Sequence, residues 1–176
     1  AVIQQVELDE GDEILTTSHR YDAVGNALRH VAGLRGARVV EAKLPFPVDD
    51  AEILERVEAA ISPRTRLVVV DQITSATALL FPVQPLVKLA KSRGIPILVD
   101  GAHAPGQIDV GLDAMAPDYW TGNLHKWTCS PKGAALLYVA PRRQSGFHAH
   151  VISHGYGTGW QNEFGWVGTM DFSAYL

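Results

Sequence analysis

The stretch "VDGAHAPGQIDVGLDAMAPDYWTGNLHKW", residues 99–127, contains the pattern that decides the fold. An apolar run ends in an acid, Asp100, and the next β-rich segment, "DYWTGN", is followed after one leucine by His125 and Lys126. In sheets of parallel strands, ligands bind beyond the carboxyl ends of the strands. A carboxylate and an amine at the ends of two neighbouring strands therefore predict a functional site at that edge of a sheet.

Strand-like and helix-like segments alternate along the chain, at least three times. The predicted strands are Glu13–Thr17, Ala37–Leu44, a run that ends at Asp71, "PILVD", "DYWTGN" and Gly133–Val139. The predicted helices lie in "YDAVGNALRHVAGLRG", closed by Gly33 or Gly36, in "PFPVDDAEILERVEAAI", and in "VQPLVKLAKSRGI", closed by Gly94. The apolar runs are continuous, as in strands that are covered on both faces. This pattern predicts an α/β fold with a doubly wound, mostly parallel sheet and right-handed crossovers.

Composition narrows the classes of function. The chain has 176 residues, a net charge of −4 and 47% apolar residues, which predicts a folded domain and argues against nucleic acid as a partner. No apolar run approaches the roughly 18 residues of a membrane span. The single cysteine, Cys129, cannot form an internal disulfide, so we expect a cytoplasmic protein. The first residues, "AVIQQV", read like the end of a helix, and "GTMDFSAYL" stops without a turn signal, so we expect a fragment.

Several common catalytic and binding motifs do not occur in the sequence. It contains neither G-x-G-x-x-G nor a phosphate-binding G-x-x-x-x-G-K-[ST], and no G-x-S-x-G. Three histidines, His148, His150 and His154, form a weak candidate metal site, but their spacing matches no standard ligand set, so we expect no metal. A lysine and an acid at neighbouring strand ends instead suit pyridoxal 5′-phosphate (PLP). That cofactor needs an amine for its aldehyde carbon and a carboxylate for its pyridine nitrogen.

Four motifs, in this order, resemble the class V aminotransferase-fold PLP enzymes, which belong to fold type I. They are "VDGAHAPG", "YWTGNLHKWTCSPKGAALLYV", "VISHGYG" and "EFGWVGTMDFSAYL". The isopenicillin N epimerase-like branch is the most similar, and the cysteine desulfurases and selenocysteine lyases are similar at a greater distance. The resemblance implies that residues 1–140 are most of the large PLP-binding domain, and that residues 141–176 extend towards a dimer partner and the missing small domain. It also implies that an upstream phosphate-binding turn and a downstream arginine that grips the substrate carboxylate lie outside this chain.

The resemblance assigns the three central residues. Lys126 matches the lysine that forms the Schiff base, and Asp100 matches the acid opposite the pyridine nitrogen. His103 matches the position that reaches the region of the cofactor's phenolic oxygen. The simpler alternatives are a surface lysine, an acid that begins a turn and a loop histidine that is satisfied by its neighbours.

The resemblance also implies further cofactor-binding residues, and for these more alternative interpretations stay open. Tyr21 aligns with an aromatic residue that stacks on the cofactor ring, with His19 as a competing candidate. Thr74 and Ser75 match a polar pair near the ring hydroxyl, although ordinary turn hydroxyls would look the same. Asn123 and His125 match positions near the phosphate.

The C-terminal motif implies a partner subunit. Gly168 and Thr169 match a pair that, in the family, reaches the phosphate of the neighbouring subunit's cofactor, which implies a homodimer with a shared active site. Cys129 is expected to be structural, because the family's reactive cysteine lies in the part outside this chain.

The expected function is PLP-dependent chemistry on a small-molecule amino acid through Lys126, of the epimerase, C–S lyase or desulfurase, or aminotransferase type. The alternative is a truncated or degenerate relative that only folds or binds cofactor, and a histidine metalloprotein is a weaker third hypothesis. We expect neither nucleic acid nor a membrane as a partner.

Overall fold

The structure, a computed structural model, describes residues 1–152 and 154–164. Its strands are β1 Glu13–Thr17, β2 Arg38–Ala42, β3 Thr65–Asp71, β4 Ile97–Asp100, β5 Tyr119–Asn123 and β6 Ala135–Val139. Its helices are α1 Val2–Gln5, α2 Asp22–Leu34, α3 Asp50–Ala60, α4 Val83–Ser92, α5 Leu112–Met115, α6 Pro141–Gln144 and α7 Trp160–Phe164. The six predicted strands and the three long predicted helices are all confirmed. The short helices α5, α6 and α7 were not predicted, because four or five residues are too few to show a helical period.

The six strands form one sheet in the order β2-β1-β3-β4-β5-β6. Strands β1 to β5 are parallel, and β6 pairs with β5 in the antiparallel direction. The prediction of a doubly wound, mostly parallel α/β sheet is therefore confirmed. Helices α1 and α2 supply residues to one apolar cluster, and α3, α4 and α5 supply residues to the other, so the sheet has a core on each face.

Alternation along the strands divides the core residues between the two faces. Leu67 and Val69 of β3 belong to the cluster on the α2 side, whereas Val68 and Val70 belong to the cluster on the α3 and α4 side. All four side chains are at most 1% exposed, which explains why the sequence of this strand is continuously apolar.

Local sequence signals mark the start of α3 and the end of α2. At the start of α3, the side chain of Asp49 accepts a hydrogen bond of 2.8 Å from the backbone N–H of Glu52. Gly36, rather than Gly33, has the positive φ of +65° just after α2, and Gly33 lies inside the helix. No helix in the described part of the chain is long and apolar enough to cross a membrane.

One buried tryptophan lies under the ends of β4 and β5. Trp120 is 1% exposed, and its indole Nε1–H donates a hydrogen bond of 2.9 Å to Oε1 of the buried Gln72. A Cβ atom on Gly101 would lie 2.4 Å from the indole, and one on Gly122 would lie 2.1 Å from it. Both glycines are therefore required for the loop after β4 and the end of β5 to approach this side chain closely.

We predict that Gly122→Ala destabilises the protein by about 1–3 kcal/mol, because the added methyl group overpacks against an indole that the core and its hydrogen bond hold in place. Urea denaturation, monitored by tryptophan fluorescence, measures the free energy of unfolding. Gly33→Ala is the matched control, since a Cβ there meets nothing within 4 Å. We expect that control to leave stability unchanged or to raise it by up to about 1 kcal/mol, as Ala does in place of Gly inside a helix. Equal free energies for wild type and Gly122→Ala would contradict the prediction.

Candidate active site

The candidate site begins at the carboxyl ends of three neighbouring parallel strands. In the sheet register Asp71 of β3 pairs with Asp100 of β4, and Asp100 pairs with Thr121 of β5. Side chains alternate along a strand, so these three residues lie on the same face as Val69 and Leu98, the face that α2 covers. The fold therefore places two acids and a hydroxyl in one row at the edge where ligands bind in such sheets.

The predicted lysine and histidine are brought together from different loops. Lys126 lies in the loop after β5, and its Nζ atom is 3.1 Å from Nε2 of His103, which lies in the loop after β4. Both residues are half-buried, so the contact is partly shielded from water. Because the two residues are 23 positions apart, the contact depends on β4 and β5 lying side by side.

The environment of Asp100 favours a protonated or tightly paired carboxyl group. Asp100 is 9% exposed, and burial raises its pKa, while a 3.0 Å hydrogen bond from the Ala102 N–H and the charges of Lys126 and His103 act in the opposite direction. The same side chain lines a pocket of about 240 Å³ whose walls include Val24, Val69 and Leu98. Burial removes the stabilisation that water gives to a carboxylate. Pairing with a cation restores it.

His103 is held in its neutral form. Burial lowers its pKa first, and the neighbouring Lys126 lowers it further, while Asp100 opposes the shift. A neutral imidazole keeps one ring nitrogen as a donor and the other as an acceptor. His103 can therefore both give and accept a hydrogen bond beside Lys126.

Asp71 is a buried acid at the same sheet edge to which the sequence analysis assigned no role. It is 4% exposed, and burial, followed by the charge of Asp100, raises its pKa to about 8. A backbone hydrogen bond from Tyr21 and the charges of Arg20 and Lys126 limit the rise. The available signal was the sequence of β3, which ends its apolar run in an acid as β4 does.

The remaining predicted residues near the lysine are also at the end of β5. Asn123 is the last residue of that strand, on the same face as Thr121. His125 donates from Nδ1 to the carbonyl of Ala134 at 2.9 Å.

The two aromatic candidates for stacking are in different situations. Tyr21 is the residue before α2, and half of its surface is exposed. His19 has both ring nitrogens engaged, with Thr77 Oγ1 at 2.9 Å and the Leu44 carbonyl at 3.3 Å. Hydrogen bonds at the edge of the ring do not decide which residue would stack, so Tyr21, with His19 as the competing candidate, stays a prediction.

Thr74 and Ser75, the predicted hydroxyl pair after β3, also differ in their surroundings. Thr74 is buried, and its Oγ1 atom accepts from the Leu79 N–H at 2.8 Å and contacts Thr77 Oγ1 at 2.8 Å, so it closes a turn. Ser75 is exposed at that turn. Roles for both residues in cofactor binding stay predictions, as does the role of Thr169, which with Gly168 lies outside the described residues.

The histidine-rich segment has its own contacts. His148 contacts Glu163 through Nδ1 at 3.0 Å, and its ring lies 4.8 Å from that of Tyr156. Across residues 1–152 and 154–164, the structure contains no group of three or more side chains arranged to hold a metal ion. Cys129 is exposed, and its Sγ atom lies 3.9 Å from the carbonyl oxygen of Trp127.

We predict that Asp71→Asn removes a pH dependence of stability. The folded pKa is raised to about 8, so the native state holds a proton that the unfolded chain has released above about pH 4. The contribution of Asp71 to stability is therefore complete below about pH 4 and is lost as the pH rises to about 8, at up to about 1.4 kcal/mol per pH unit. Free energies of unfolding measured from pH 4.5 to 8.5 should fall less steeply in Asp71→Asn than in wild type. The exposed Asp113→Asn is the control, and a slope that is the same in all three proteins would contradict the prediction.

Comparison with known proteins places this geometry in a family. Residues 1–155 match the model of the family described as aminotransferase class-V. The chain is 37% identical over 176 residues to a putative L-cysteine desulfhydrase from Oryza sativa subsp. japonica, covering 94% of this chain and 36% of that protein. It is 35% identical over 156 residues to the isopenicillin N epimerase of Streptomyces clavuligerus, covering 88% of this chain and 39% of that protein. The chain therefore spans less than two-fifths of the length of these two relatives.

Solved structures show the same fold at lower sequence identity. A complex of the cystine C–S lyase C-DES with its reaction product, cysteine persulfide, superposes with a TM-score of 0.81 at 22% identity, over 92% of this chain and 46% of that one. The apo cysteine desulfurase of Thermococcus onnurineus superposes with a TM-score of 0.76 at 22% identity, over 88% of this chain and 38% of that one. Together with the match to the family model over residues 1–155, these findings show that the chain belongs to the class V aminotransferase family of PLP-dependent enzymes.

Proposed function

We propose that the protein acts on an amino acid with PLP as cofactor, and that Lys126 binds the aldehyde carbon of PLP through its amine. The observation that carries this proposal is the position of that amine, 3.1 Å from the His103 ring and at the same sheet edge as the buried Asp100. PLP requires an amine for its aldehyde carbon and a carboxyl group for its pyridine nitrogen, and an imidazole can donate to its ring hydroxyl.

The donor set fits the cofactor at each polar position. Asp100 would face the pyridine nitrogen, His103 would donate towards the ring hydroxyl, and Asn123 and His125 would lie near the phosphate. Two buried hydroxyls at the end of β1, on Thr16 and Thr17, have no hydrogen-bond partner among residues 1–152 and 154–164. We place Tyr21 against the ring face, with Thr74, Ser75 and Thr169 as the remaining polar contacts.

When bound, PLP supplies an electron sink that stabilises negative charge at the α-carbon of an amino acid. The residues of this chain supply orientation and proton transfer. Asp100 keeps the ring nitrogen protonated through a charge-assisted hydrogen bond. Lys126, as a free amine, accepts or returns the proton at the α-carbon, and His103 holds that amine in place.

We propose cysteine as the first substrate to test and cleavage of its C–S bond as the reaction. Support comes from the relatives, since the four proteins between 34% and 37% identical over 94–96% of this chain are named as established, probable or putative L-cysteine desulfhydrases. A β-elimination needs only an acid–base group at the α-carbon, and it needs no reactive cysteine on the enzyme. A structural role for Cys129 agrees with this chemistry.

Epimerisation at the α-carbon is the second candidate. It is favoured by the isopenicillin N epimerase that is 35% identical over 88% of this chain. The two reactions share the first proton transfer and differ in whether a group leaves from the β-carbon, so a product assay separates them. We further propose a cytoplasmic homodimer with a shared site, in which Gly168 and Thr169 reach the partner's cofactor.

The test is to locate the lysine that captures PLP. The protein is incubated with PLP, reduced with borohydride and digested, and mass spectrometry identifies the modified peptide. We expect the label on Lys126 and its loss in Lys126→Arg. The exposed Lys132→Arg, six positions away, is the matched control and should label as wild type does. Labelling that is equal on both lysines would overturn the proposal.

Activity with L-cysteine is measured as sulfide release. We expect Lys126→Arg to lower the rate by at least about 10²-fold, the contribution of a positioned acid–base group. Asp100→Asn should lower it by about 10- to 100-fold, the factor given by a hydrogen bond between charged groups. Capture of PLP on Lys126 with neither sulfide nor an epimerised product would instead support a non-catalytic relative that binds the cofactor.

A further inference from the structure

Each ring nitrogen of His103 lies within hydrogen-bond distance of another side chain. On one side the indole Nε1–H of Trp127 donates to His103 Nδ1 at 3.1 Å. On the other side Nε2 lies 3.1 Å from Nζ of Lys126. The two rings are tilted by 54° with their centroids 6.3 Å apart, so the contact is a hydrogen bond at the ring edge rather than a stack.

The number of protons on these groups limits the possible arrangements. An indole nitrogen only donates, so His103 Nδ1 must accept and carries no hydrogen. A neutral imidazole has one N–H, which then lies on Nε2 and points towards Lys126. An ammonium group has three donors and no acceptor, whereas a free amine has a lone pair that can accept this hydrogen bond. The complete arrangement therefore exists only with Lys126 as the free amine.

The charged and polar groups around His103 agree with its neutral state. Burial is the first cause that lowers the pKa of His103, Lys126 lowers it further only when it is protonated, and Asp100, at the end of β4, acts in the opposite direction. Gln107 contacts only the main chain of His103, donating to its carbonyl at 2.8 Å. Trp127 is thus the one side chain with a hydrogen bond to Nδ1 of His103 in the described part of the chain.

The approach of Trp127 to His103 is built into the loops. Gly106, in the loop after β4, has a φ of +85°, and a Cβ on it would lie 2.9 Å from the carbonyl carbon of Trp127. The absence of a side chain at Gly106 lets the two loops touch, which brings the indole within reach of the imidazole.

We propose that Trp127 is a positioning residue that fixes the Nε2–H tautomer of His103 and thereby selects the free-amine form of Lys126. The value of this arrangement for catalysis rests on the proposed function, because only a free amine can attack the aldehyde carbon of PLP. The tautomer itself does not rest on that function, and it can be measured in protein without cofactor.

The test is nuclear magnetic resonance of protein labelled with ¹⁵N on its histidine rings. Long-range ¹H–¹⁵N spectra distinguish a protonated from an unprotonated ring nitrogen, and His103→Gln assigns the signals among the seven histidines. We expect wild type to carry the proton on Nε2 of His103. In Trp127→Phe the ratio of the two tautomers should shift towards Nδ1–H by about two- to tenfold, the factor given by one ordinary hydrogen bond.

Trp160→Phe is the matched control, because Trp160 packs against Phe147 and Phe164. It should leave the His103 signals unchanged. Gly106→Ala is the second variant, and it should shift the tautomer in the same direction as Trp127→Phe by displacing Trp127. An unchanged His103 tautomer in Trp127→Phe overturns the proposal.

A second readout separates proton placement from a merely structural role. The rate of PLP capture by Lys126 is measured from pH 7 to pH 10 by borohydride trapping. In Trp127→Phe we expect capture to be slower by about two- to tenfold at pH 7 and to approach the wild-type rate at pH 10, where lysines lose their protons without help. A loss that is equal at all pH values overturns the selection of the free amine. If wild type shows the Nε2–H tautomer but captures no PLP, the proposed function fails while the tautomer assignment stands.

Discussion

The site depends on the register in which three parallel strands end together. Because Asp71 pairs with Asp100 and Asp100 pairs with Thr121, their side chains leave one face of the sheet in a row, with neighbouring strands about 4.8 Å apart. A slip of one residue in any of these strands would turn its last side chain to the other face. The continuous apolar sequences of β3 and β4, which are buried on both faces, oppose such a slip only weakly. The loops that follow the strands must therefore help to hold the register.

Trp120 fixes the loops to the core. Its indole fills the space beside Gly101 and Gly122 and is tied to Gln72, which directly follows β3. One buried side chain thus touches the ends of β3, β4 and β5 from the face opposite to Asp100. The loop that carries His103 and the loop that carries Lys126 both start from this support. This explains how the two loops bring these side chains within 3.1 Å of one another.

The electrostatics of the site follow from the burial of two carboxyl groups, those of Asp71 and Asp100. Burial raises the pKa of both Asp71 and Asp100, the charge of Asp100 raises that of Asp71 further, and Lys126 opposes both shifts when it is protonated. A pyridinium ring would add a second cation at Asp100. A positively charged heteroaromatic ring beside Asp100 would offset the cost of burying its carboxylate, and a neutral His103 adds no charge of its own.

The sequence by itself determined the order and bounds of the main elements, because hydrophobic period, caps and glycines act within a few residues. It also pointed to Lys126, Asp100 and His103, since a residue that follows a buried strand must lie at the sheet edge. It did not reveal the direction of β6, the burial of Asp71 beside Asp100, or the hydrogen bond from Trp127 to His103. Each of these depends on residues far apart in the chain, such as the 24 positions between Trp127 and His103, and only strand pairing and loop packing bring them together. Local spacing fixes which face of its own element a residue occupies, while its pKa and its partners are set by the neighbours that the tertiary structure supplies.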